Sequence, residues 1–437
     1  MRRTSKTPAA LLAAAALVLT ALAGCSASPS QPSETVSLTW WGWNSVGKDQ
    51  VIHEFETQNP GIKVTYKNFD YTNYLTALRP GLSSSDGPDV FQLQPGDLVG
   101  TFGPLAVPVD THIAKDAGSD WASKFNQAGL DQLKLNGKQV ALPSYMSAAG
   151  LVYYNKTILD KYGLSVPKDF SEWKKVCQVL RANNVGCLAQ GAKDAWVNTD
   201  VFLSLINSIA PGKVYEAISG KTSWTGVSFK QAMDAWSELF TSGIIAPGAT
   251  AASEYPDAQT TFLGNKAAFI ALGTWNTPAT MTKTGQAQIQ DTVTAKIDGL
   301  FRSAPFPAPI AGGTPTQLFG GPDNGYSVSA KSQKQDAAFK LLEFLTVGDG
   351  QNIQAAAGNI PAIKSIKVST SDVIDPSQVA DIEGQQAGVS QLVGLRQIPY
   401  SDLSAVIGRA LSGVAAGTTS PADALTQIQT ASDKTKR

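Results

Sequence analysis

Histidine is nearly missing from this chain, with 2 in 437 residues, His53 and His112. That scarcity excludes multi-histidine metal centres. It also leaves a nucleophile–base triad almost nothing to draw its base from. His53-Glu54 opens like the zinc-protease helix motif H-E-x-x-H, but Thr57 stands where the second ligand would be. Both histidines read as surface or capping-region residues. No G-x-S-x-G elbow, phosphate-binding G-x-x-x-x-G-K-[ST] loop or dinucleotide fingerprint occurs anywhere. Net charge is missing too. The 35 basic and 35 acidic residues cancel, whereas a general nucleic-acid binder carries a basic excess. Long apolar runs are also lacking, because the longest, Ala9 to Ala23, falls short of the roughly 18 residues of a bilayer span.

What is present suits a globular protein: 43% hydrophobic and 16% charged residues, over a length that implies more than one lobe. The amino terminus reads as a targeting sequence, with Arg2, Arg3 and Lys6 ahead of the apolar run. It ends in Leu22-Ala23-Gly24-Cys25, which resembles the bacterial lipobox. Residues 1–24 are therefore expected to be a signal peptide, and residues 25–35 a lipidated cysteine followed by a Pro/Ser-rich tether. The expected product is exported and lipid-anchored at the outer face of the cytoplasmic membrane. Of the 3 cysteines, that leaves Cys177 and Cys187 in an oxidising compartment. A disulfide is expected between them; two buried thiols are the alternative.

From Val36 the residues Val-Ser-Leu-Thr-Trp-Trp-Gly-Trp alternate as a strand does. Asp49–Gln58 has helical spacing, stopped by Asn59-Pro60-Gly61. Ile62–Tyr66 predicts a second strand, Tyr71–Leu82 a helix and Pro88–Leu93 a third strand. This β-α-β-α-β order predicts an α/β fold with a mostly parallel sheet covered by helices. Later segments repeat the signals: strands at Gly150–Tyr154 and Ala267–Leu272, helices at Phe170–Arg181, Lys230–Phe240 and Asp336–Leu345. Two helices are expected between Ser401 and Ile428. Residues 303–325, rich in Pro and Gly, read as irregular surface or crossing chain.

Aromatic and amide side chains gather where strands end: Trp40, Trp41, Trp43 and Asn44 after the first, Gln92 and Gln94 after the third, Tyr145 after Leu142-Pro143, and Trp275 with Asn276. Open α/β sheets bind ligands beyond the carboxyl ends of their strands. A pyranose suits such a lining, since its C–H face stacks on Trp or Tyr and its hydroxyls take planar amide or carboxylate partners. Trp173 and Trp236, inside helical patterns, read as core.

Several segments in order are similar to one family. They are Ser37 to Trp43, Gly87-Pro-Asp-Val90, Leu142-Pro143 through Tyr153-Tyr154-Asn155-Lys156, and Val166-Pro167 to Trp173. Phe262-Leu-Gly-Asn-Lys-Ala-Ala-Phe-Ile-Ala-Leu-Gly-Thr-Trp275 follows, with Phe269 where methionine is usual. Gly320-Gly321 before Tyr326-Ser-Val-Ser329, then Ala337 to Leu345, Gly358 to Ala362 and Ser420 to Leu425, complete the series. The chain resembles the extracellular solute-binding proteins of bacterial ABC importers, in the sugar-taking branch that includes maltose-binding protein. The resemblance implies a two-lobed, type II periplasmic-binding-protein fold joined by a multi-strand hinge. Lobe 1 would hold residues 36–143 and 276–326, and lobe 2 residues 144–275 and 327–437, with crossings near 143–146, 272–276 and 325–329.

The resemblance also implies ligand-facing roles for Trp43, Asn44, Tyr71, Gln94, Tyr145, Trp196, Trp275, Asn276, the Gly320-Gly321 turn, Asp323 and Asn359. The expected partners are a carbohydrate and the permease subunits of an ABC transporter, for a monomer that takes no cofactor or metal and catalyses no reaction. Other readings stay open. A polyol or glycerol-phosphate ligand would want a cation such as Lys48 or Arg79 at the lobe edge. A secreted two-carboxylate glycosidase has no local signature to find, and an adhesin or structural lipoprotein would show no closure on a ligand.

Overall fold

Among the described residues, twelve strands and the helices between them build two sheets and a short hairpin. The computed structural model describes residues 35–43, 47–290 and 292–437. Cys25 and Asn44 lie outside the described residues. The strands are β1 (Val36–Gly42), β2 (Ile62–Asn68), β3 (Val90–Leu93), β4 (Lys134–Leu135), β5 (Lys138–Gln139) and β6 (Leu142–Ala149). They continue with β7 (Leu151–Asn155), β8 (Gly186–Ala189), β9 (Ala267–Ile270), β10 (Phe301–Pro305), β11 (Phe319–Val328) and β12 (Ile360–Pro361). One sheet has the order β12-β6-β11-β3-β1-β2, a second β10-β7-β9-β8, and β4 pairs only with β5.

The opening β-α-β-α-β unit forms where periodicity placed it, with helices Lys48–Gln58 and Tyr71–Ser83 between its strands. The sheets are mixed, however, where mostly parallel ones were expected. Among the described strand pairs, only β1–β2, β1–β3 and β8–β9 run parallel. The long β11 enters between β3 and β6 and opposes both.

Residues 303–325, read as irregular surface or crossing chain, do cross between the sheets at 306–318, but they also hold regular strand. The end of β10 and most of β11 lie in this segment, and all ten residues of β11 are buried. Pro322 is tolerated because the ladder to β6 shifts register between Pro322 and Asn324, and a bulge is where a strand accommodates a missing donor. The crossings move as well. β6 pairs with β11 out to Ala149, so the chain leaves the first sheet only at Gly150, whose φ of 101° suits glycine. It returns between Pro305 and Phe319.

The expected lobe boundaries shift accordingly. Helix Gln335–Thr346, expected in lobe 2, packs on β1, β3, β6 and β11 of the first sheet. The C-terminal helices Ser401–Ala415 and Pro421–Lys434 pack with helices Ala195–Ile209 and Val227–Thr241 beside the second sheet. No helix among the described residues is long and apolar enough to cross a membrane.

Each lobe has its aromatic centre. Trp173, Trp224 and Trp236 are buried within the second lobe's core, and Trp40 packs edge-on against Tyr66 and Tyr326 in the first. Trp41 is buried too, with its ring lying where a Cβ on Gly81 would be. His53 is exposed, and His112 stacks flat on Phe339 with ring centroids 3.8 Å apart.

Cys177 in helix Phe170–Ala182 is joined by a disulfide to Cys187 in β8, with Cα atoms 5.1 Å apart. The return between them turns at Asn184 with φ 58°. A cross-link closing so short a loop restricts the unfolded chain by about 3 kcal/mol. Replacing both cysteines by alanine is expected to lower the unfolding free energy read from urea titration by that order, and with it the midpoint, without changing the far-ultraviolet spectrum. An unchanged midpoint would mean that the bond contributes nothing.

Candidate functional site

Arg396 stands at the centre of the site. It lies in the irregular segment between helices Val379–Val389 and Ser401–Ala415. Its Nε donates to both carboxylate oxygens of Asp200, at 3.1 and 3.0 Å, and its Nη2 lies 2.9 Å from Oδ2. Nη1 is 4.0 Å from Oδ1 of Asp323. The guanidinium sits over the ring of Trp275, 3.9 Å from its centroid, and 5.6 Å from that of Trp196. Burial works against its charge, but Asp200 and Asp323 hold its pKa above the ordinary arginine value.

The elements explain this convergence. Asp200 belongs to helix Ala195–Ile209, an otherwise largely apolar element beside the second sheet. Asp323 lies at the bulge of β11 in the first sheet. Backbone bonds fix the segment that carries Arg396: Val393 donates to Leu318 O at 2.9 Å, and Gly320 donates to Gly394 O at 2.8 Å. Burial raises the Asp200 carboxyl to about 6, opposed by Arg396.

Aromatic rings surround this charged group. Trp275 follows β9, and its Nε1 donates to the Tyr255 hydroxyl at 3.0 Å. The rings of Trp196 and Tyr255 lie nearly parallel, 18° apart with centroids separated by 5.9 Å. Gly273 admits the Trp275 indole, since a Cβ there would fall 1.9 Å from Cζ3. On the first sheet's side, Trp43 packs edge-on against Tyr71 and Tyr74, and the Tyr71 hydroxyl donates to Gln94 Oε1. Burial raises the Tyr71 pKa, while Arg396 opposes the shift and Asp97 and Asp323 add to it. The two groups of rings therefore share one electrostatic neighbourhood.

A polar chain runs from Trp43 to the charged centre. The Trp43 backbone N–H donates to Gln92 Oε1 at 2.8 Å, and Gln92 Nε2 donates to Asn324 Oδ1 at 3.1 Å. Asn324 Nδ2 then donates to Asp323 Oδ2 at 2.9 Å.

Of the expected site residues, Trp196, Trp275 and Asp323 meet at Arg396, and Trp43, Tyr71 and Gln94 form the facing group. Asn276 and Asn359 also make contacts within the fold. Asn276 is buried, with its carbonyl accepting from Thr280 and its side-chain oxygen from Gln259. Asn359 donates to Gln354 Oε1 at 2.7 Å and closes the end of helix Gly350–Ala356.

Gly320 and Gly321 are not a turn but part of β11. A Cβ on Gly320 would fall 2.1 Å from Ser147 O, and one on Gly321 2.3 Å from Gln132 Nε2. Their small size serves close packing on β6 and on Gln132. Tyr145 is buried in β6, in register with Asn324 and Pro361. The candidate cations do not join the Arg396 group, although Lys48 donates to the Tyr326 hydroxyl at 3.0 Å. Lys48 is buried beneath the Trp40 ring, 4.2 Å from its centroid, and Arg79 lies over Phe102.

Sequence reasoning missed Arg396, Asp200, Tyr255 and Glu254. Asp200 did carry a signal: a carboxylate beside Val201, Phe202 and Leu203 in a helical run has to be paired when buried. Arg396, in Gly394-Leu395-Arg396-Gln397, belongs to no motif.

A cleft of about 980 Å³ opens between helix Asp97–Phe102 and the C-terminal helices, lined in part by Asp97, Thr101, Tyr400, Arg409 and Lys434. Gly96, just ahead of that helix, lies close to the segment carrying Arg396: an added Cβ would meet Gln397 Cβ at 2.7 Å.

A model of a family described as bacterial extracellular solute-binding protein matches residues 42–352. The multiple sugar-binding protein of Streptococcus mutans is 25% identical over 378 residues, covering 84% of this chain and 85% of that one. Among solved structures, a chitin oligosaccharide binding protein is similar with a TM-score of 0.73 at 20% identity, covering 92% of this chain and 99% of that one. The maltose-bound MalE3 of T. maritima is similar with a TM-score of 0.70 at 22% identity, covering 92% and 100%. These structural likenesses confirm the two-lobed fold.

Glu254 adds a titrating group to the second lobe. Its Oε2 accepts the Gly191 N–H at 2.7 Å, and its own N–H donates to Asp194. Oε1 is buried and unpartnered among the described residues. Burial, reinforced by Asp194 and Asp200, raises its pKa to about 8 from 4.5. Between those values the folded state holds a proton that the unfolded chain has lost, so this group makes stability fall as pH rises through that window. Glu254→Gln is expected to remove that slope. In urea titrations its stability relative to the unsubstituted protein should rise from pH 5 to pH 8, and a constant difference would mean that the carboxyl is ionised throughout.

Proposed function

The chain belongs to the bacterial extracellular solute-binding proteins, and from that premise we propose that it captures a carbohydrate between its two lobes and delivers it to the permease subunits of an ABC transporter. The observation that carries this reading is the Arg396–Asp200–Asp323 group ringed by Trp196, Tyr255 and Trp275. Hydroxyls need closely spaced donors and acceptors, and the C–H faces of a sugar need aromatic surface. In this structure Arg396 covers Trp275, so Trp196, the half-exposed Tyr255 ring and Trp43 offer the stacking surface. The names of the Streptococcus and chitin-oligosaccharide relatives point to the same class of ligand.

The proposed working cycle is an equilibrium between open and closed lobes. A ligand that touches both lobes only when they are closed shifts the population toward closed by its differential affinity. The ligand leaves chemically unchanged. Cys25 serves as the lipid anchor, holding the monomeric body at the outer face of the cytoplasmic membrane. A single acyl chain gives marginal attachment, so more than one lipid chain on that cysteine fits a lasting anchor.

Galactose, raffinose, stachyose, maltotriose, xylotriose and chitotriose form a panel for thermal-shift and tryptophan-fluorescence titration of the body beginning at residue 36. At least one is expected to raise the melting temperature, with no new product on chromatography. Silence across the panel, alongside a response to a non-carbohydrate, would sink the sugar assignment; product formation would return the glycosidase reading. For whichever sugar binds, Trp196→Ala is expected to weaken affinity about tenfold, the order that aromatic contact contributes.

A further inference from the structure

Hydrogen bonds join the loop after β8 to the loop that carries Tyr255. The Lys193 N–H donates to Ala252 O at 3.2 Å, the Glu254 N–H to Asp194 Oδ2 at 2.7 Å, and the Gly191 N–H to Glu254 Oε2 at 2.7 Å. The rings hang on the same joint. Trp196 stands two residues past Asp194, and Tyr255 directly follows Glu254. Those rings lie nearly parallel, and the Tyr255 hydroxyl also holds Trp275 Nε1. Glu254 itself is fully buried, and its Oε1 has no partner among the described residues.

A neutral carboxyl can occupy that place for the cost of one unmade hydrogen bond, whereas a carboxylate there is a bare charge out of water. The charged groups acting on Glu254, Asp194 and Asp200, are both acidic. Cations of the adjoining segments serve other partners: Arg396 pairs with Asp200, and Lys193 acts on the exposed Asp257. Tyr255 keeps its proton, because burial and Glu254 raise its pKa. Glu254, at about 8, is thus the group of this joint that mild alkali ionises.

Resting on the carbohydrate reading above, we infer that Glu254 is a positioning residue whose proton keeps the Trp196 and Tyr255 rings in one arrangement, so that sugar capture weakens as the solution turns alkaline. With the proton on, the two loops stay joined. On ionisation, Oε1 takes up a charge that only water can solvate, and water reaches it by parting the loops. Trp196 and Tyr255 then move with separate segments. The protonated form is the competent one, so the apparent Kd is the intrinsic value divided by the protonated fraction. Affinity is therefore full while Glu254 is protonated and falls as pH rises through its titration.

Isothermal titration calorimetry of the body from residue 36, with maltotriose, raffinose and xylotriose as probes, tests this across the alkaline range. For a probe that binds, Kd is expected to rise about tenfold from about pH 7 to about pH 9. Binding near the middle of that range is expected to take up protons, seen as a dependence of the heat on the buffer's ionisation enthalpy. Glu254→Gln keeps a neutral group of the same shape, and is expected to flatten the profile and abolish the uptake. Lys48, lowered by burial to about 7, and Asp200, raised by burial to about 6, remain in that variant. A slope that survives in it belongs to them and overturns the inference. If Glu254→Gln does not fold, as judged by circular dichroism, Lys48→Met takes its place: the slope is expected to persist there, and its loss overturns the inference. A constant Kd in the unsubstituted protein also overturns it, and leaves the carbohydrate reading standing. Binding of none of the three probes, with a non-carbohydrate bound instead, overturns both.

Discussion

A guanidinium out of water needs carboxylates around it, and much of this molecule is arranged so that Arg396 has them. Removing a charge from solvent costs several kcal/mol unless its partners are well placed. Here the partners come from different lobes: Asp200 from a helix beside the second sheet, Asp323 from the bulge of β11 in the first. The segment carrying Arg396 is in turn bonded to the start of β11 through Val393 and Gly394. One side chain therefore ties together a helix, a strand and a loop that are far apart in sequence. The chain Gln92–Asn324–Asp323 extends the same constraint to the loop after β1, where Trp43 begins the facing aromatic group.

Glycines make these approaches physically possible. A Cβ at Gly191 would fall 2.0 Å from the Glu254 nitrogen, and one at Gly273 would fall inside the Trp275 ring. Both positions sit just past β8 and β9, the parallel pair of the second sheet. The backbone there is bare because buried polar and aromatic groups press against it. The same reasoning applies to Gly320 and Gly321, whose lack of a side chain serves strand packing.

The legible parts of the fold were those set by local periodicity. The opening β-α-β-α-β unit, the helix around Trp173 and the C-terminal helix pair all follow from apolar spacing and capping residues, as with Ser420 accepting from the Asp423 N–H. β11 was illegible because Pro322 and its glycines read as loop, and only pairing with β3 and β6 makes that segment a strand. The site divides in the same way. Trp43, Gln94 and Trp275 were readable because they follow strands, where open α/β sheets place ligands. Arg396 was not, because its meaning depends on Asp200 and Asp323, at separations that no local pattern encodes. Asn276 and Asn359 occupy plausible positions, and each also bonds within the fold, Asn276 Oδ1 to Gln259 and Asn359 Nδ2 to Gln354.

The charged centre also bears on how such a protein balances capture against release. A lobe interface closed only by apolar contact would strengthen with every ångström of buried surface and hold its ligand too long. A buried ion pair behaves differently, because its attraction roughly offsets its own desolvation, leaving little net stability while fixing geometry. With Arg396 largely neutralised by Asp200 and only loosely approached by Asp323 at 4.0 Å, the inner cleft is held in register without being locked. In the proposed cycle, a small free-energy gap between open and closed forms is the condition for a ligand's few hydrogen bonds to shift the population. On this argument the polar centre, more than the aromatic rings, sets the closing equilibrium, and the rings set which molecule is worth closing upon.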